Sequence, residues 1–223
     1  MWLVTYQIKE LLLADGDSPF GEWFGSLEAV AAAKVRVAVS RMEQGNLSNV
    51  EWFRGIGECK IDWGPGLRIY LAKDGLKIII LIGGGTKKRG SRTSIRRWRC
   101  GRTTSAARHQ PRKERSDMAL TRDFRETVAA RVQSDPAFAQ ALLDEAITLF
   151  VNGEPEPAKL ILRDLVNATV GFEALADEIH KPAKSLHRML SKSGNPTMSN
   201  VSAIFAAIKR VLKVEVRAQV VMA

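Results

Sequence analysis

Twelve of the 32 residues from Thr86 to Asp117 are Lys or Arg and only two are acidic, so this one polar stretch carries +10. The formal charge of the whole chain is also +10. Residues 1–85 hold nine basic and ten acidic side chains, and residues 118–223 hold thirteen and twelve, so both flanks are near neutral. A block this charged and this poor in apolar side chains cannot bury enough surface to offset the entropy of ordering it. The sequence therefore predicts two folded parts, 1–89 and 118–223, joined by a basic disordered linker over 90–117. Each part is long enough to bury a core without staples.

The charge distribution limits what the pI of 9.9 implies. A basic arm outside both folded parts attracts any polyanion and carries no sequence-specific target by itself. Cys59 and Cys100 share no metal or redox spacing, which fits a reduced cytoplasmic protein. The first apolar run is broken by Lys9, Glu10 and Asp15, so no cleavable signal is expected. The longest aliphatic run, Ile78–Ile82, falls far short of the roughly 18–20 residues of a membrane span, so no membrane partner is expected.

In the first part, Trp2–Ile8 alternates weakly and suits an opening strand. Phe20, Phe24, Leu27, Ala31, Val35, Ala38 and Met42 then recur at steps of three and four, which predicts helix. Gly25–Ser26 divides it into a hairpin with Ser26 as the second N-cap, and Gly45–Asn46 ends it. From Trp52 the period falls to two. Glu58–Trp63, Leu67–Lys73 and Leu76–Ile82 read as strands joined by Gly64-Pro65-Gly66 and Asp74-Gly75 turns. The order β-α-α-β-β-β predicts a small antiparallel sheet with a helical hairpin on one face. Alternation sends Leu67, Ile69 and Leu71 to the helices and leaves Lys60, Arg68 and Tyr70 on an open face, with Lys87, Lys88 and Arg89 at the end of the last strand. Cations and an aromatic on one concave face suit a backbone phosphate with a base stacked nearby. A solvated sheet face is the competing reading, because exposed Lys and Arg are common there.

The motif ECKIDWGPGLRIY, with WFGSL upstream, QGN after the helices and LIGGGTKK after the last strand, resembles the addiction-module killer proteins of the RelE/ParE toxin superfamily. The likeness spans residues 1 to about 88. Its RelE and HigB branches imply a small ribonuclease that cuts mRNA on the ribosome without metal or cofactor. The resemblance places Arg68 at the transition-state arginine of the G-x-R-x-Y strand, Lys60 at a lysine of the strand before it, and Lys87 or Lys88 at the basic position after the last strand. Tyr70 completes the candidate catalytic set, in which cations stabilise phosphorane-like charge in place of a histidine pair.

Toxins of this kind continue past the Gly-Gly run into an amphipathic helix, whereas Gly90–Thr104 has no helical stripe. Permitted codons for that stretch, read two nucleotides later, give Gln-Gln-Asp-Val-Asp-Thr-Ala-Leu-Ala-Leu-Trp-Ala-Asp-Tyr, a helix of the missing type. The stretch thus reads either as the product of a shifted frame that runs into a second coding frame beginning at Met118, or as a functional basic tail that holds RNA or operator DNA.

In the second part, Phe124, Val128 and Val132 predict a first helix, and Asp135-Pro136 starts another carrying Phe138, Leu142, Ala146 and Leu149. A helix with Leu160, Leu162, Leu165 and Val166 follows. Next comes a helix-turn-helix over about 171–212: Phe172–Ile179, a turn at His180-Lys181, and a helix from Pro182 with Leu186 and Leu190 inward. After Gly194-Asn195-Pro196, Thr197 caps the last helix, and Val214, Val216 and Val220 suggest a short strand. Such spacing also occurs in plain bundles. The stretch ALADEIHKPAKSLHRMLSKSGNPTMSNVSAI, however, resembles the lambda-repressor-like antidote proteins of the HigA kind encoded beside those toxins. That likeness places Ala183, Lys184, Ser185, His187 and Arg188 on a DNA-reading helix, with Lys184 and Arg188 as the base or phosphate contacts. Pro182 and Ala183 depart from the Ser and Arg usual there. His180 and His187 have no third ligand near, so no metal site is expected.

The fold expected is an α+β first domain plus an all-α helix-turn-helix domain. The function the resemblances imply is a toxin–antitoxin fusion. Its first half would be an endoribonuclease acting on mRNA and the ribosome. Its second half would neutralise that activity in cis or trans and repress operator DNA as a homodimer. The alternative is a DNA-binding transcriptional regulator whose toxin-like module is catalytically inactive.

Overall fold

A computed structural model describes residues 5–87, 121–191 and 193–216. The chain is mixed α/β, with a six-stranded sheet and eight helices among these residues, and it divides into two compact units, Met1–Thr127 and Val128–Ala223. Lys88, Arg89 and the whole of 90–117 lie outside the described residues, as does Val220.

Among the described residues the first strand is β1 (Gln7–Leu11), which shares Gln7 and Ile8 with the expected Trp2–Ile8 and runs past it; Trp2–Val4 lie outside the described residues. Helices α1 (Pro19–Ser26) and α2 (Ala29–Glu43) follow, then β2 (Val50–Phe53), β3 (Ile56–Ile61), β4 (Leu67–Asp74) and β5 (Ile78–Thr86). The helical hairpin divides where expected, but Ser26 does not cap α2. Leu27 turns extended (ψ 147°) and Ser26 sits in the last turn of α1, where its hydroxyl donates to the Trp23 carbonyl. The side-chain cap in this hairpin belongs to Ser18, which accepts from Gly21 N–H at 2.9 Å. Strand β2 was not expected as a separate element. It pairs with β3 through a two-residue turn at Arg54-Gly55, both with positive φ, the twist that a tight hairpin needs.

The sheet order is β2-β3-β4-β5-β1-β6, and it is mixed rather than antiparallel because β1 runs parallel to β5. Its outer strand β6 (Thr121–Asp123) comes from beyond the basic stretch and pairs antiparallel with β1. Phe124, which opens helix α3 (Phe124–Ser134), belongs with it to the first unit. The compact boundary therefore falls after Thr127, not at Met118. The last strand is also longer than predicted. β5 runs through Gly83-Gly84-Gly85 because α1 needs that surface: a Cβ on Gly84 would stand 1.9 Å from the Trp23 ring.

The second unit holds the rest of α3, then α4 (Pro136–Val151), α5 (Pro155–Ala168), α6 (Phe172–Ile179), α7 (Ala183–Met189) and α8 (Met198–Leu212). Asp135 caps α4, accepting from Phe138 N–H at 3.1 Å with Pro136 at the first helical position. Leu142, Ala146, Leu162, Leu165, Leu175, Leu186, Leu190, Ile204 and Ile208 are buried, as their periodicity required. Thr197 caps α8. Val214 and Val216 form no strand.

Candidate nucleic-acid interface

The alternation of β4 places its side chains on two faces. Ile69 lies opposite Gly84, the residue beneath Trp23, so the Ile69 face meets the helices. Arg68 and Tyr70 take the other face. In register, Arg68 stands between Lys60 on β3 and Gly85 on β5, and Tyr70 stands between Glu58 and Gly83. Glycine at both β5 positions leaves no side chain beside Arg68 or Tyr70 on that flank.

Lys60 and Arg68 thus share a face and a rung, as the sequence implied. The face is not open at Arg68 and Tyr70, however. They are 8% and 6% exposed. The Arg68 guanidinium is engaged twice: Nε meets Glu58 Oε1 at 3.2 Å, and Nη1 donates to the Leu67 carbonyl at 2.9 Å. Lys60 is ion-paired with Glu51, the neighbour of Glu58 across the β2–β3 ladder. Two acids that sequence reasoning passed over therefore neutralise the two cations it singled out. Alternation along β3 puts Glu58 on the face of Lys60, but it does not say which side chains lie within reach.

Lys87 joins this end of the sheet from another direction. Its N–H donates to the Gly66 carbonyl at 2.8 Å. Lys87 Cβ and Arg68 Nη1 lie 3.5 and 3.7 Å from the point where a Gly66 Cβ would stand, so both border the same glycine at ordinary contact distance. Gly66 has φ +74°, which a side chain would strain, and this turn carries the chain straight into β4. Lys88 is outside the described residues.

Further along the same face, Tyr70, Ala72 and Ile82 form an apolar cluster that Leu11 borders. A bulge between Tyr70 and Leu71 skips Ile82 in the register and turns it into this cluster. Burial, with the Glu58 charge adding to it and Arg68 opposing, raises the Tyr70 phenol above its ordinary value, so it stays protonated well beyond neutral pH. Burial likewise pushes the Cys59 thiol up to about 12, which makes it an inert core residue.

The second unit carries the other candidate surface. Helices α6 and α7 are joined through His180, which adopts the left-handed conformation (φ 53°), then Lys181 and Pro182. On α7, Leu186 is buried while Lys184 and Arg188, four residues apart, are exposed on one side. Ala183 and Ser185 are half-buried. His187 is exposed, but its ring stacks on Phe172 at 3.7 Å and 18°, so packing holds one ring face that DNA reading would use. The loop after α7 is fixed from an unexpected side. Lys159 on α5 is buried and donates to the Gly194 carbonyl at 2.5 Å. A Cβ on Gly194 would come within 2.2 Å of the Arg188 and Met189 carbonyls, so only glycine passes over the end of this helix.

No protein-family profile matches the chain, and no solved structure matches it. An uncharacterized protein of Haemophilus influenzae is 34% identical over 86 residues, which cover 38% of this chain and 81% of that protein. The chain belongs to the family of that protein. The Haemophilus relative brings no activity with it, and its match concerns about two-fifths of the chain. Among the described residues, no group of His, Cys, Asp or Glu could hold a metal ion, and no helix is long and apolar enough to cross a membrane.

Proposed function

We propose that the chain is a toxin–antitoxin fusion. Its first unit has the fold of a RelE/HigB-like mRNA endoribonuclease, and its second is a HigA-like antidote that neutralises the first and represses operator DNA from the cytoplasm. The observation that carries the nuclease half is the shared rung of Lys60 and Arg68, with Lys87 bordering the Gly66 turn that Arg68 also borders. Three cations at one end of a sheet can hold a phosphodiester while the ribose 2′-hydroxyl gives its proton to water, its oxygen attacks the phosphorus, and the bond to O5′ breaks as O5′ takes a proton from water. A cyclic phosphate and a 5′-hydroxyl result. The Arg68 guanidinium would exchange the Glu58 carboxylate for a phosphate oxygen, meeting charge that grows in the transition state. Tyr70 keeps its proton at neutral pH and can hydrogen-bond an oxygen on the same face. The antidote half rests on the exposed Lys184 and Arg188 of α7, which follow a three-residue turn from α6.

A second reading has its own observation. Arg68 is nearly buried and already paired with Glu58, which suits a DNA-binding regulator whose toxin-like module is inactive. Primer-extension mapping of mRNA in a translating extract separates the two. A fusion gives little cleavage when intact and new cuts once the basic stretch is severed with a protease and the second piece is separated from the first, and Arg68→Ala lowers that cleavage by a hundredfold or more. No cleavage from any form, with a retained operator gel shift lost in a Lys184→Ala/Arg188→Ala double variant, establishes the regulator instead.

A further inference from the structure

The segment immediately after the basic stretch is built into the first unit by three kinds of contact. Thr121–Asp123 adds a strand to the edge of β1, which would otherwise present unpaired backbone groups. Phe124 is fully buried and meets Phe20 and Phe24 edge-on, with ring centroids 5.4 and 5.3 Å apart. Two arginines then answer buried acids. Arg122 reaches Glu10, which has no exposed surface, at 3.1 Å, and Arg125 reaches Glu43 at 3.0 Å. Glu43 and the wholly buried Arg36 also pair at 3.3 Å. Gly21 permits the Glu10–Arg122 approach, since a Cβ there would stand 2.8 Å from Glu10 Oε2.

Strand addition, an aromatic anchor and charge pairs at fixed spacing are together the means by which proteins recognise extended peptides. We infer that the β1 edge of the first unit is a peptide-recognition groove, and that its ligand is the strand-and-anchor sequence T-R-D-F-R of residues 121–125, which the groove holds by non-covalent contacts alone. The covalent bridge through 88–120 is dispensable for this attachment, and a separate polypeptide bearing the same segment would occupy the groove. The inference does not depend on whether the first unit cleaves RNA.

The test uses the full chain with a specific protease site placed within residues 90–117. After complete cleavage, the pieces elute together on gel filtration at the size of the intact protein. A synthetic peptide of residues 118–130 competes with the attached segment and releases the second piece, whereas the same peptide with Phe124→Ala competes at least a hundredfold more weakly. In the chain itself, Arg122→Glu with Arg125→Glu makes the cut pieces separate, and circular dichroism before cutting confirms that the variant is folded. Separation of the wild-type pieces on cutting overturns the inference. So does continued association in the double variant, or equal competition by the two peptides, because either places the attachment elsewhere.

Discussion

Glu58 occupies the position on which the charge balance of β3 and β4 turns. It pairs with Arg68 and, through its charge, adds to the upward shift that burial imposes on Tyr70. The chain has two tyrosines, Tyr6 and Tyr70, so in a Tyr6→Phe background an absorbance titration of phenolate reads Tyr70 by itself. Glu58→Gln removes a charge that disfavours phenolate, so the Tyr70 midpoint moves down. Burial remains, so it stays above the ordinary tyrosine range. An unmoved midpoint would show that Glu58 is not felt at the phenol. Gly84 is governed by space alone. Gly84→Ala drives a methyl into the Trp23 ring and is expected to cost about 1–3 kcal/mol or more. All five tryptophans precede Met118, so tryptophan fluorescence in urea reads this loss without interference from the second unit. At this scale the alternation of β4 was legible: Leu67, Ile69 and Leu71 went inward, and Arg68 shared a face with Lys60. The pairing of each cation with an acid was not, because spacing gives a face and does not say which neighbour lies within reach.

Helix boundaries followed from caps that are written in the chain, since Asp135-Pro136 and Thr197 start helices where their chemistry requires. Asp135 serves twice, as the α4 cap and as the partner of Arg131 at 3.3 Å. Asp135→Ala is expected to cost about 1–2 kcal/mol. The second unit has no tryptophan, so the loss should appear in the helical dichroism signal and leave the fluorescence transition in place. Strands were harder to read than helices. β2 is four residues long and three of them are exposed, which leaves little alternation to detect. β6 has three residues and no apolar side chain, so nothing in its own sequence marks it as a strand. Both exist because an edge was available to pair with, a long-range condition that local pattern does not contain.

Across the whole molecule, the charge map and the fold divide the chain at different places. The net +10 of Thr86–Asp117 sits between two near-neutral flanks, so binding to a generic polyanion should depend steeply on salt. Raising salt from about 50 to about 200 mM in a titration with heparin or single-stranded RNA should weaken binding by about a thousandfold or more. Replacing the Arg and Lys of 89–113 with Ser should flatten that slope, and a slope unchanged by the replacement would put the anion site in the folded units. Composition showed where the chain is basic, but it gave no sign that the fold resumes at Thr121 with a strand belonging to the first unit.

The antiparallel course of β6 has a further result. Strand β5 ends, and β6 begins, at the same end of the sheet, with β1 alone between them. Whatever is spliced between Thr86 and Thr121 therefore spans two strand spacings, about 9–10 Å, and the rise of about 13 Å by which β5 runs past the rung of Leu11 and Thr121, whether it is long or short. Doubling its length costs only about 0.6 kcal/mol in closure entropy. The architecture is thus nearly indifferent to the amount and content of that insert, and a misread run of codons could persist there without unfolding either neighbour.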